Sequence, residues 1–248
     1  QGARAVVSDA RYKQIKPDLA FAIHIEPGRP FGYVSTRPGL INCASLGLKI
    51  TLNGKTAHAA DPSDGISPSL AVAEFIQKIS KFNHGDELNN NFRLTTVTHV
   101  QIGEQSFGIS PGDASIFVTL RTSNDDSLSQ LDKDVRELVS NISTKFKLTF
   151  DFEIFDHFAA SINDKEAHDI AVDAMKALNI NYGSIGVPMR ASEDFGIFGK
   201  QSRAAMLCLG PGEDYAALHN PDYDFNDDLI PIGTGIFERI TRDLLGTY

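Results

Sequence analysis

The sequence is poor in cysteine: Cys43 and Cys208 are the only two, and neither sits in a spacing motif. They read as buried thiols of a cytoplasmic protein, with a single disulfide as the alternative. Long apolar runs are missing too. No stretch approaches the ~18 residues that would mark a membrane span, and the start of the chain has charges but no apolar signal-peptide core. Positive charge is in deficit, with 23 Lys and Arg against 32 Asp and Glu and a net charge of -9. That balance argues against a nucleic-acid partner. No serine or cysteine nucleophile motif occurs. Gly210-Pro-Gly212 reads as a turn rather than a phosphate loop, since no Lys-Ser/Thr follows it.

What is present is an ordinary globular composition over 248 residues, 42% hydrophobic and 22% charged. That length suffices for a sizeable core in one or two domains. Gln1 to Tyr12 reads as a helix already under way, with no capping residue before it. The expectation is therefore that the sequence begins inside a longer protein.

The middle of the chain reads as a domain of its own, residues 42–158. Leu46 to Leu52 alternates at period two and ends at Asn53-Gly54, a turn signal. Ser67 and Pro68 open a helix with Val72, Phe75, Ile76 and Ile79 on one face. Strands are expected at Leu94 to Ile102 and Ser115 to Arg121. A second helix runs from about Leu128 to Phe146, with Leu128, Leu131, Val135, Leu138 and Ile142 as its stripe. Leu148 to Phe155 is the last strand, with Phe150, Phe152 and Ile154 on one side. The order is β-α-β-β-α-β, the split arrangement of ferredoxin-like domains. The flanks, residues 1–41 and 159–248, are α/β in character. They hold a strand at Leu19 to Ile25, an extended run at Gly32 to Thr36, and a helix from Asp164 to Leu178. A strand at Ala204 to Leu209 and a final helix from about Asp228, striped by Ile232, Ile236 and Ile240, complete them.

Two histidines each close an apolar run in these flanks. His24 lies in Asp18-Leu-Ala-Phe-Ala-Ile-His-Ile-Glu-Pro27, and His219 in Leu218-His-Asn-Pro-Asp-Tyr-Asp-Phe225. Each reads as a strand end that hands an imidazole to a loop, with proline soon after. Ligands collect at strand ends of α/β sheets. Imidazoles with carboxylates close by suit zinc, manganese and related ions, with Glu26, Asp222 or Asp224 available to fix a ring tautomer. The plain alternative is a hydrogen-bonded histidine at a strand end. His84, His99, His157 and His168 show no ligand spacing.

Four segments occur in a telling order: Ala22-Ile-His-Ile-Glu-Pro27, Asn53-Gly-Lys-Thr-Ala-His-Ala-Ala60, Ser192-Glu-Asp-Phe195 and Leu218 to Phe225. Together they resemble the aminoacylase/carboxypeptidase family of metallopeptidases, in its amidohydrolase branch of hippurate and auxin-conjugate hydrolases. The resemblance covers nearly the whole chain. It implies an α/β/α catalytic domain, present here in part, with an inserted ferredoxin-like lid that also forms a homodimer. The implied activity is hydrolysis of amide bonds in N-acyl amino acids or dipeptides with a divalent metal, zinc foremost and manganese or cobalt as alternatives.

By that resemblance His24 and His219 are metal ligands. His58 is the group that hydrogen-bonds the substrate carbonyl oxygen, stabilising a developing oxyanion; a surface-loop histidine is its bland alternative. Glu193 is a substrate or ligand-supporting contact, against the local alternative that Ser192 or Asp194 caps a helix. Arg190 has the geometry to bind a carboxylate in bidentate fashion, although relatives often have a smaller residue nearby. Arg121 matches a recurring arginine, with a structural salt bridge as the alternative. Gly108 stands where relatives carry an asparagine, which implies a different substrate preference. The resemblance also implies a Cys-x-His segment and a Glu-Glu pair upstream of Gln1, supplying the general base and further ligands. Without them the chain alone would be inactive. The competing reading is a non-catalytic dimerising or small-ligand-binding module.

Overall fold

A run such as Leu-Ala-Phe-Ala-Ile-His-Ile has no polar alternation, the pattern of a strand with cover on both sides. In the computed structural model, which describes residues 2–246, that run is strand β1 (Leu19–Ile25), preceded by helices α1 (Gly2–Ser8) and α2 (Tyr12–Ile15). Short strands β2 (Val34–Ser35) and β3 (Gly39–Asn42) follow. Next come β4 (Ala44–Asn53), β5 (Ala57–His58), α3 (Ser69–Ile79), β6 (Arg93–Ile102), β7 (Ile109–Ser110) and β8 (Asp113–Thr122). The chain continues through α4 (Asp125–Phe146), β9 (Thr149–Phe158), β10 (Ser161–Asn163), α5 (Lys165–Ala177) and β11 (Tyr182–Gly183). It closes with β12 (Arg203–Leu209) and α6 (Ile230–Leu245).

These elements form two compact units, residues 1–43 with 159–248, and Ala44–Phe158. In the first, the sheet order is β1-β12-β2-β11. β1 and β12 run parallel, with Leu19 opposite Arg203 and His24 opposite Cys208. Alternate residues of β12 belong to different cores, as period two requires. Leu207 and Leu209 pack with Met175 of α5 and Ile236 and Ile240 of α6. Met206 and Cys208 pack with Ile41, Val187 and Phe195. β12 is thus covered on both faces, which is how a largely apolar strand stays buried, whereas β1 at the sheet edge is half-buried throughout.

The N-terminal reading needs one correction. The helix pauses at Asp9–Arg11 between α1 and α2. Its missing cap is supplied from far away, because Asp194 Oδ2 accepts the Ala3 N–H at 2.9 Å. Gln1, the first residue of that reading, lies outside the described residues.

The second unit is an antiparallel sheet in the order β6-β8-β4-β9. Leu46, Leu48, Ile50 and Leu52 of β4 and Ile116, Val118 and Leu120 of β8 are buried. Helices α3 and α4 pack against each other and against the sheet strands. Asn124 caps α4 by accepting the Ser127 N–H at 2.8 Å. Some face assignments shift by a residue. Val139 rather than Leu138 is buried on α4, and Ile76 of α3 is 43% exposed. Ser67 does not cap α3; its hydroxyl accepts the Ser69 N–H at 3.3 Å, and Pro68 stands at the helix start. Among the described residues, no helix is long and apolar enough to cross a membrane.

Candidate active site

Pro27 and Gly28 end β1, and Gly28 takes a positive φ of 80° that glycine adopts without strain. The register with β12 then places His24 near the carboxyl end of the strand, where open α/β sheets gather ligands. The ring stands between two carboxylates. Its Nε2 is 3.4 Å from Glu193 Oε1. Its Nδ1 is 3.5 Å from Glu26 Oε2, an ion-pair distance without a hydrogen bond of good geometry. Glu193 arrives on extended backbone just before a 3₁₀ turn, Asp194–Lys200.

Electrostatics follow from this placement. Glu193, and then Glu26, push the His24 pKa up to about 9 against the opposing effect of burial. His24 in turn holds the Glu193 carboxyl below its usual range. Burial pushes the Cys208 thiol up to about 12, so it is inert as a nucleophile.

Arg29 was not singled out in the sequence. Its side chain is 6% exposed, with Nη1 3.6 Å from Glu26 Oε1. Its Nε donates to Ser35 Oγ at 3.0 Å, and its Nη2 to the Gly186 carbonyl at 3.1 Å. A buried guanidinium with a carboxylate and carbonyl partners ties the loop after β1 to the segment that leads to Glu193. Gly186 leaves it room, since a Cβ there would stand 2.8 Å from Arg29 Nη2.

The other expected residues are each placed within their own unit. His219 does not end a strand. It is an exposed turn residue at φ 69°, because β12 already stops at Leu209 and Ala216 to Leu218 is too short an apolar run to make another. Arg190 is exposed on the segment before Glu193. Arg121 lies half-buried in β8, opposite Ser45 and Leu94. His58 is exposed in β5, and its Nδ1 accepts the Ala60 N–H at 3.0 Å. The helix-cap alternative for Asp194 does not hold locally, because its carboxylate is turned to α1.

Among the described residues, no three His, Cys, Asp or Glu side chains are arranged to hold a metal ion. His219 is therefore not gathered with His24 and Glu193 into a ligand set. The residues present do not by themselves fit a metal centre. A cavity of about 680 Å³ lies at the opposite, amino end of β1 and β12, lined by Lys16, Asp18, Lys200 and Arg203. Its position sets it apart from the His24 cluster.

A sequence profile of the peptidase family M20/M25/M40 matches residues 1–243. The N-acetyldiaminopimelate deacetylase of Exiguobacterium sibiricum is 24% identical over 242 residues, which is 98% of this chain and 65% of that protein. The IAA-amino acid hydrolase ILR1-like 2 of Arabidopsis thaliana is 23% identical over 243 residues, 95% of this chain and 54% of that protein. The Bacillus subtilis YXEP protein, a dinuclear metal binding peptidase from the M20 family, superposes with a TM-score of 0.77 at 18% identity. That superposition covers 99% of this chain and 62% of the other, and it speaks for the fold. The chain thus spans between 54% and 65% of the length of these relatives. Its α/β fold and the match along 243 residues agree: the chain belongs to the peptidase family M20/M25/M40.

Proposed function

We propose that this chain is part of an amide hydrolase that cleaves N-acyl amino acids or dipeptides. The observation that carries the reading is the family match along residues 1–243. The His24–Glu193 pair at the end of β1 supports it, with its ring 3.4 Å from the carboxylate. Both relatives described above act on amides by their names, an N-acetyl compound and an amino-acid conjugate.

In this reading His58 donates a hydrogen bond to the substrate carbonyl oxygen. With Nδ1 accepting from Ala60, a neutral ring carries its proton on Nε2, the form that donates. Loss of such a donor typically costs ~100- to 1,000-fold in turnover. Glu193, beside His24, is the substrate or ligand-supporting contact, and Arg190 and Arg121 are the candidates for a substrate carboxylate. A divalent metal, zinc with manganese or cobalt as alternatives, would polarise the carbonyl or activate water. His24 and His219 are the imidazoles this chain would offer to it. A cytoplasmic location is supported by two buried free thiols. A homodimer through residues 44–158 is supported by β6, which stands at an edge of its sheet.

The second reading, a non-catalytic dimerising or ligand-binding module, is favoured by one observation: the described residues form no three-ligand set. The test is release of free amino acid from N-acyl amino acids by the protein expressed from its intact gene, with zinc, manganese or cobalt added. Metal-dependent release is expected. Silence with all three, together with a dimer in sedimentation and no metal uptake, would establish the module instead.

A further inference from the structure

The ribbon that carries His58 brings an exposed hydrogen-bond donor next to exposed apolar groups. β5 and β7 pair so that His58 stands opposite Ile109, and the Ala59 N–H extends the ladder to the Gly108 carbonyl at 3.0 Å. Cross-strand neighbours share a face, so Ile109 flanks the His58 ring. Ile109 is 54% exposed, and Phe107, at the tip of the loop, is wholly exposed.

A pocket of about 220 Å³ opens beside the ribbon, with Thr56, Ser106, Ile109 and Pro111 in its wall alongside Glu104 and Asp113. Sites for whole small ligands usually enclose ~300–1,000 Å³. This one has room for a single substituent rather than an entire N-acyl amino acid. Charge decides which substituent. The amino-acid carboxylate would meet two exposed carboxylates of its own sign, a repulsive encounter. An apolar acyl group would meet Ile109 and Pro111, and would lose its own contact with water.

We propose that this pocket is a subsite for the apolar acyl group of an N-acyl amino acid, of roughly butanoyl to hexanoyl or benzoyl size. The inference rests on the amide-hydrolase reading above, in which His58 takes the carbonyl oxygen next to that group. It assigns Ile109 as a specificity residue, and it selects longer apolar acyl groups over acetyl and over acidic ones.

The test is calorimetric titration of the full chain with N-acetylglycine, N-hexanoylglycine and N-succinylglycine, while the NMR signals of the His58 ring are followed. Hexanoylglycine should bind about tenfold more tightly than acetylglycine, at the low end for added apolar contact in an open pocket. Succinylglycine should bind least. Ile109→Asp should bring the hexanoyl-to-acetyl ratio toward one with the circular dichroism unchanged, because the side chain faces solvent. Equal affinities for the three, a preference that survives Ile109→Asp, or no binding of any of them would overturn the subsite. Hydrolysis of the same compounds is scored separately with the protein from its intact gene. Chain-length preference without turnover keeps the subsite and rejects the hydrolase; turnover without chain-length preference does the reverse.

Discussion

In the unit of residues 44–158, the ten-residue strand β4 pairs along its whole length with β8 and along most of it with β9. In the other unit, β12 is paired through seven residues with β1 but through only two with β2. The unit of residues 44–158 repeats a simple rule, apolar residues inward at every second position, and its order comes from that repetition. The unit built on β1 and β12 has little ladder to spare beyond that pair. Its loops are held by single polar ties: Arg29 to Gly186, Asp194 to Ala3, and Asn163 to both the N–H and the carbonyl of Met206. The same unit carries the His24 cluster. Repetition builds a stable platform, whereas individually placed polar groups aim side chains, and the chain uses each where it is needed.

That contrast can be broken most severely in the apolar core. Leu131 of α4 is fully buried, so Leu131→Ala should cost about 4 kcal/mol, within the range of roughly 2–5 for such truncations. Chemical denaturation would measure it, and a loss below about 1 kcal/mol would contradict the packing described. Arg29→Met comes next. It strips the partner from Ser35 and two carbonyls and takes the guanidinium away from Glu26. The expected cost is about 3 kcal/mol, the lower end for breaking a buried pair because Glu26 is partly exposed. Arg29→Lys should restore only part of it, since an ammonium cannot span the same fork of acceptors. Asn124→Ala is the smallest of the three, about 1 kcal/mol for loss of one helix cap, read by the same denaturation. If it exceeded Arg29→Met, the polar ties would matter less than the regular elements.

Much of this was legible in the residues. The period-two run gave β4, and the three-and-four spacing gave α4, because each of those elements has one wet and one dry side. The slips at Leu138 and Ile76 have one cause: a helical stripe about 100° wide leaves its border positions undecided until the sheet beneath is known. His24 was legible as the end of an apolar run stopped by Pro27. The His219 strand was not, because a short apolar run before a proline looks the same whether it pairs or turns. Arg29 and the Asp194 cap were invisible for a different reason. Both act on residues more than 150 positions away, and no local pattern encodes such a tie.

His24 is clamped between Glu193 and Glu26, and titration of its ring reads that clamp out. The clamp raises the folded-state pKa, so its stabilisation is complete below about pH 6.5 and is lost as pH rises toward about 9. The lowered Glu193 pKa contributes stability present above about pH 4.5 and lost as pH falls. NMR of the His24 ring from pH 5 to 10 should give a midpoint near 9, falling toward 6.5 in Glu193→Gln. A midpoint already near 6.5 in the unaltered chain, or one that ignores Glu193→Gln, would show that the ring is not held between the two carboxylates.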